Sequence, residues 1–285
     1  MAQVNDLVGK AVTTGEAVRV SASPGVSDNT KIQLGRVAVI FGFLLLWQLG
    51  SGPLIDPFFF SSPVAIAAKV WEDLFQAGFY RDLYVTSVEL FTGYAIGAVL
   101  GVTLGVLLAR WPIVAQIFDP ILIALNSIPR IALAPLLIVW LGIDMAPKIV
   151  LALTLVFFLT FFNTLAGIRN VNVGFVEVAR VLGATDWQIF RKVMLPAAAP
   201  WIMTGLKMSL PFALIGVIVG EFLASAAGLG YRLNFYSTSY NTTGTFAMLF
   251  VMMAFMMTLN TIINRIEQRI LKWRPRSAYQ VDATV

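Results

Sequence analysis

EVARVLGATDWQIFRKVMLP, residues 177–196, is polar and arginine-bearing, yet it lies between two long apolar runs, Ile149–Ile168 and Trp201–Gly220. Joining two membrane spans takes only a few residues, so twenty of helical composition imply an element of its own. Thr185 with Gln188 three residues on forms a capping-box pattern, and Asp186 adds negative charge at a helix start. A helix is therefore predicted from near Asp186, with Leu195-Pro196 closing it before the next span. An earlier helix is predicted around Phe175–Leu182. Gly183 falls between the two, where lack of a Cβ permits a sharp turn or close approach by another surface. The bland alternative is a helix pair lying on the membrane, with Trp187, Ile189, Phe190 and Val193 in the interface.

The rest of the chain supplies the membrane. Of 285 residues, 58% are hydrophobic and 12% charged, and the mean hydropathy is +0.82. That balance belongs to a polytopic membrane protein. There is no cysteine and no histidine, which excludes disulfides, thiolate chemistry and the usual zinc ligands. The net charge of +5 is a matter of topology rather than of affinity for nucleic acid.

Residues 1–35 read as a mostly flexible tail with room for a short surface helix. Val37–Leu49 is a short first span, and an amphipathic surface helix is predicted over Pro63–Gln76. Leu90–Ala109 carries no charge and is long enough to cross about 30 Å of hydrocarbon. Its Gly93, Gly97, Gly101 and Gly105 share one helix face, which suits tight packing within the chain or, less simply, a seam between two copies. Ile113–Leu141 is too long for one straight span and contains Pro120, Pro129 and Pro135, so a bent or broken helix is expected. Ile149–Ile168 is the fourth span, Trp201–Leu223 the fifth and Thr245–Ile263 the sixth. Residues 224–244 form a Gly-, Ser-, Thr- and Tyr-rich loop, and 276–285 a C-terminal tail.

Six spans put both termini on one side. That side, with the 110–112 turn and the 169–200 loop, collects fifteen of the 20 Lys and Arg, counting Lys207 as reaching outward. The opposite side has Lys69, Arg81, Lys148 and Arg232, and Arg130 lies within a span. By the positive-inside rule the termini and the 177–196 stretch are cytoplasmic.

The separations in that stretch carry a resemblance. Glu177-Val178-Ala179, three residues, Gly183, nine residues, Val193, one residue and Leu195-Pro196 resemble the EAA loop of ABC-importer permeases, with Val178 in place of Ala and Val193 in place of Ile. Ser127-Ile128-Pro129-Arg130-Ile131-Ala132, Pro135-Leu136, Trp140-Leu141-Gly142, Gly220-Glu221 and Gly228-Leu229-Gly230-Tyr231 are similar to the nitrate/sulfonate/taurine type. The resemblance spans about residues 80–270. It implies an all-α type I importer fold with a permease domain over 36–275. Implied partners are a second copy of the permease, a cytoplasmic ATPase dimer holding ATP and Mg, and a periplasmic or lipid-anchored binding protein. It assigns ATPase coupling to Glu177, Ala179, Gly183, Ala184, Thr185, Leu195 and Pro196. Family members carry solutes ranging from anions to pyrimidines and flavins, so it does not name the solute.

No GxxxxGK[ST] sequence occurs, so this chain carries no P-loop and is not expected to be an enzyme. No cofactor, metal or nucleic acid is expected on it. The rival reading is a proton- or sodium-coupled carrier using Glu221, Asp119 or Arg130. Asn126, Ser127, Arg130, Asn163 and Glu221 are the candidate pathway residues, because polar groups within spans face cavities or bond neighbouring helices. For Arg130 both readings stand: contact with an anionic solute, or a structural bond to Glu221 or a carbonyl. Tyr231, Asn234 and Tyr236 are candidates for an outer gate.

Overall fold

A computed structural model of the protein describes residues 26–54 and 56–271. Contacts divide the chain into two units, Met1–Gly50 with Pro275–Val285, and Ser51–Arg274. In the first unit the described residues form one helix, α1, Val26–Gly50. The predicted span is thus extended toward the N-terminus, because no proline interrupts 26–50 and the polar residues before Val37 continue the same helix. The tail expected over 1–35 is helical from Val26 onward. Residues 1–25 and the 276–285 tail lie outside the described residues.

The elements of the second unit's described residues are helices joined by short turns, with a bridge at Ser51. Its helices begin with α2 (Pro57–Phe60) and α3 (Pro63–Leu74), the latter capped by Ser62 with Pro63 in its first turn. Then come α4 (Ala77–Arg110), α5 (Pro112–Asn126), a 3-10 turn at Arg130–Leu133, α6 (Ala134–Leu141) and α7 (Met145–Arg169). α8 (Val173–Val181) and α9 (Asp186–Ile189) follow; a π turn at Phe190–Met194 leads into α10 (Leu195–Leu223). α11 (Leu229–Thr238) and α12 (Thr242–Ile270) complete it. Among the described residues, five helical stretches are long and apolar enough to cross a membrane, or six if the bent pair α5 and 130–141 is one span.

Helix α7 is the centre. On one side it meets the glycine face of α4: a Cβ on Gly93 would lie 2.7 Å from the Ile149 carbonyl oxygen, and one on Gly97 2.7 Å from that of Leu153. The four glycines are therefore an intramolecular seam. On an adjoining face α10 packs closely too, with Gly216 against Ala152 and Gly220 against Lys148. Small residues bring the backbones together, and van der Waals contact replaces a hydrophobic drive that lipid does not supply. Leu90, Ala98, Val156, Leu210, Ala213, Val217 and Leu259 fill the spaces between, so α12 joins the same core.

Two expectations are corrected, and the expected break in the third span is located. Leu195-Pro196 does not close a helix; the chain runs helically from Asp186 to Leu223. Pro196 lacks the N–H for an intrahelical bond and its ring crowds the carbonyl four residues back. Here the π turn widens the ladder just before it, so the rod continues. The long third span breaks at residues 127–129, with a 73° bend between the halves. Of its prolines only Pro129 breaks the helix, whereas Pro120 lies inside α5 and Pro135 in the first turn of α6. Finally, the loop predicted at 224–244 contains α11, started by Gly228 at φ +119°.

Candidate functional site

The hairpin α8–α9 is built from its sequence with little left over. Asn172 starts α8, its side chain accepting the Gly174 N–H at 2.8 Å. At the other end Gly183 has φ +79°, a left-handed conformation that a Cβ disfavours. There the Ala184 N–H donates to the Ala179 carbonyl and the Gly183 N–H to that of Arg180, both at 3.0 Å. This is a Schellman closure, which ties three of the motif positions into one turn. Thr185 then caps α9 with the predicted box: its hydroxyl accepts the Gln188 N–H, and the Gln188 side chain accepts the Thr185 N–H at 2.9 Å.

Because the backbone at the turn is satisfied internally, its outer surface is left to side chains. Val178, Val181 and Leu182 are exposed there, Val181 by 87%. Glu177 is exposed beside them, with Ala179 and Ala184 half-buried. No residue stands within 4 Å of a Cβ built at Gly183, so backbone conformation, rather than crowding within the chain, calls for glycine. Ile189 and Phe190 point the other way and are buried. Phe190 packs with Ile168 and Ala198, flanked by Val106, Ala109, Met194 and Leu195, and the Arg110 guanidinium lies 6.0 Å from its ring. The alternative of a hairpin sunk in the membrane surface is therefore corrected for Ile189 and Phe190, which anchor in the protein.

The break in the third span brings Asn126, Ser127 and Arg130 together. The Ser127 hydroxyl donates to the Ile123 carbonyl at 2.9 Å. Arg130 donates to the Asn126 carbonyl at 3.0 Å and to its side-chain oxygen. The guanidinium lies over the Phe158 ring of α7, 4.3 Å from its centre, a cation–π geometry. Arg130 Nε is buried and has no hydrogen-bond partner among the described residues. Asn163 is elsewhere, on the α7–α10 contact: its amide donates to the Leu159 carbonyl at 2.8 Å and its Cβ faces Gly205.

Glu221 is not paired with Arg130. It is 1% exposed at the end of the bundle opposite the hairpin, where it accepts from the Thr86 hydroxyl and the Gly230 N–H, both at 2.6 Å. The Leu229 N–H donates to Thr86 at 2.8 Å and the Gly228 N–H to Asp82 at 3.0 Å. Arg232 bonds Asp82 at 2.8 Å, and Lys148 meets Glu89 at 3.2 Å. Three successive backbone N–H groups at a glycine turn thus clasp α10 and α11 to α4. Tyr236 donates to Asp73 at 2.8 Å, and burial with this bond raises its hydroxyl above the ordinary tyrosine value. Burial opposes the Lys69 charge nearby, but its bond to Glu72 and the Asp73 carboxylate together raise it. Of the gate candidates, Asn234 donates to the Phe222 carbonyl at 2.9 Å, while Tyr231 is partly exposed. Asp73, Asp82, Thr86 and Glu89 were not singled out from the sequence. For Asp73, Asp82 and Glu89 the signal available is the charge they place in and beside an apolar helix; Thr86 carries none.

Residues 101–272 match the family model described as "Binding-protein-dependent transport system inner membrane component". The formylaminopyrimidine transport permease protein ThiX of Halalkalibacterium halodurans is 32% identical over 66% of this chain and 75% of its own length. A putative aliphatic sulfonates transport permease protein, SsuC of Bacillus subtilis, is 34% identical over 67% and 69%. Among solved structures, an inward-facing conformation of the MetNI methionine ABC transporter superposes with a TM-score of 0.53 at 24% identity, covering 77% of this chain and 99% of that one.

Proposed function

Since the chain belongs to the binding-protein-dependent inner-membrane permeases of ABC importers, we propose that its hairpin is the docking element for a cytoplasmic ATPase dimer. The observation that carries this is the Schellman turn at Gly183, which holds Val178, Val181 and Leu182 outward while Ile189 and Phe190 grip the bundle. Glu177, Ala179, Gly183, Ala184 and Thr185 form the docking surface and its turn. Leu195 and Pro196 join it to the span. ATP and Mg belong to the partner, and both termini face the cytoplasm by the distribution of Lys and Arg. A second copy of the chain completes the pathway, and a binding protein delivers solute from the other side.

The solute proposed is a small organic or inorganic anion of the sulfonate, taurine or nitrate kind. Arg130, Asn126 and Ser127 at the break are its contacts. The free Nε supports this reading, since a guanidinium bonds a carboxylate or sulfonate through two donors. Asn163 and Glu221 serve helix packing instead. The carrier reading loses two of its three coupling candidates, because Asp119 is paired with Arg169 at 3.2 Å and Glu221 is clasped. The test uses proteoliposomes with and without the ATPase subunit encoded with this permease. ATP-dependent uptake that vanishes in Gly183→Leu, with the ATPase no longer co-purifying, is expected. Uptake driven by a proton gradient without the ATPase refutes the proposal.

A further inference from the structure

The two halves of the broken span are held in different ways. α6 is rooted in the core, with Ala134 and Leu137 buried against Leu151. α5 is not: Ala115 is its one buried residue, and Ile113, Ile117, Ile121 and Ile123 are all exposed. Between the halves lie Ser127, Ile128 and Pro129, where the chain leaves the helical ladder. Among the described residues, the ion pair that ties α5 to another span is Asp119–Arg169, the guanidinium NH2 lying 3.2 and 3.5 Å from the two carboxylate oxygens.

The position of each partner gives this contact a direction. Asp119 sits mid-way along α5, next to Pro120. Arg169 is the last residue of α7, and three residues later Asn172 caps α8 of the hairpin. Along the connection from α7 into the hairpin, a displacement of the hairpin therefore reaches Arg169 first, and Arg169 holds α5 at a point well beyond its hinge. The pair is partly exposed, so it adds little to stability; its geometry fits a linkage better than a brace.

Resting on the ATPase-docking reading, we infer that Asp119 and Arg169 form the link through which the hairpin moves the α5 half of the broken span about residues 127–129. Both are positioning residues; neither needs to touch solute.

The chain has no native cysteine, so Ile117→Cys places one thiol on the exposed face of α5. Its rate of maleimide labelling is measured in the permease–ATPase complex in nanodiscs, without nucleotide and with ATP plus vanadate. The parent pair should give a several-fold difference between the two conditions. Asp119→Asn or Arg169→Gln should abolish that difference while ATP hydrolysis continues. The exchange Asp119→Arg with Arg169→Asp should restore it, as should Asp119→Glu alone. Single variants that keep the nucleotide-dependent difference overturn the inference, and so does an exchange variant that assembles without regaining it. If a single variant does not assemble, the exchange variant decides by the same criterion. Hydrolysis with no labelling change in the parent also overturns the link while leaving the docking reading intact. A parent that neither retains the ATPase nor hydrolyses ATP sinks the docking reading instead.

Discussion

Replacing Gly97 by alanine adds one methyl group to the tightest seam of the bundle. Its Cβ would stand 2.7 Å from the Leu153 carbonyl oxygen, 2.9 Å from Val156 Cβ and 3.2 Å from Leu153 Cα. Ordinary carbon–oxygen contacts of this kind begin at about 3.3 Å and carbon–carbon contacts at about 3.5 Å. Two of the three obstacles are backbone atoms, so no rotamer change relieves them, and α4 must back away from α7 by roughly 0.6 Å. Overpacking of this sort costs about 1–3 kcal/mol. Alanine returns about 0.5–1 kcal/mol through its better helix propensity. The net is a loss of about 0–2.5 kcal/mol, centred slightly above 1 kcal/mol, which at the centre is a fall of about 2–5 °C in apparent Tm for a unit of this size. Thermal unfolding in detergent, followed by tryptophan fluorescence, measures it. Gly42→Ala is the control, since nothing lies within 4 Å of its Cβ, and it should melt at or above the parent temperature. If Gly97→Ala melts as high as Gly42→Ala, the seam is looser than described and the argument fails.

Two further outcomes follow from the polar groups. Arg130→Gln should leave a complex of parental thermal stability, because the guanidinium is bonded to Asn126 rather than to a buried carboxylate, while uptake of an anionic solute falls; joint loss of yield and stability would make it a structural residue. Glu221→Gln should lower stability by about 1–3 kcal/mol, since Thr86 and Gly230 both donate to the carboxylate and an amide can accept from its oxygen alone; a melting temperature equal to the parent's would count against the clasp.

Where the fold was legible, local chemistry carried the signal. The capping box at Thr185 and Gln188, the turn at Gly183 and the four-residue glycine spacing each need only near neighbours in sequence. The place of the break in the third span was harder. Three prolines competed, and their effects differ: Pro135 falls in a first turn, where its missing N–H costs nothing, and Pro120 is carried within the helix. The clasp around Glu221 was least legible. Its donors include backbone N–H groups of 228–230 and a hydroxyl 135 residues distant, and no side-chain pattern announces a backbone donor. Asp119 and Arg169 were visible as charges, but only folding brings them together.

The wide turn at Phe190–Met194 sets an angular phase. Asp186–Leu223 is one 38-residue rod, and a π turn is an α-helix carrying one extra residue. Each residue advances an α-helix by about 100°. Deleting one position here would restore a regular ladder and rotate everything before it by about that angle relative to α10. Val181 and Leu182 would then face sideways rather than away from the bundle, with their own turn undisturbed. The single surplus residue thus determines the compass bearing at which the hairpin meets whatever binds it.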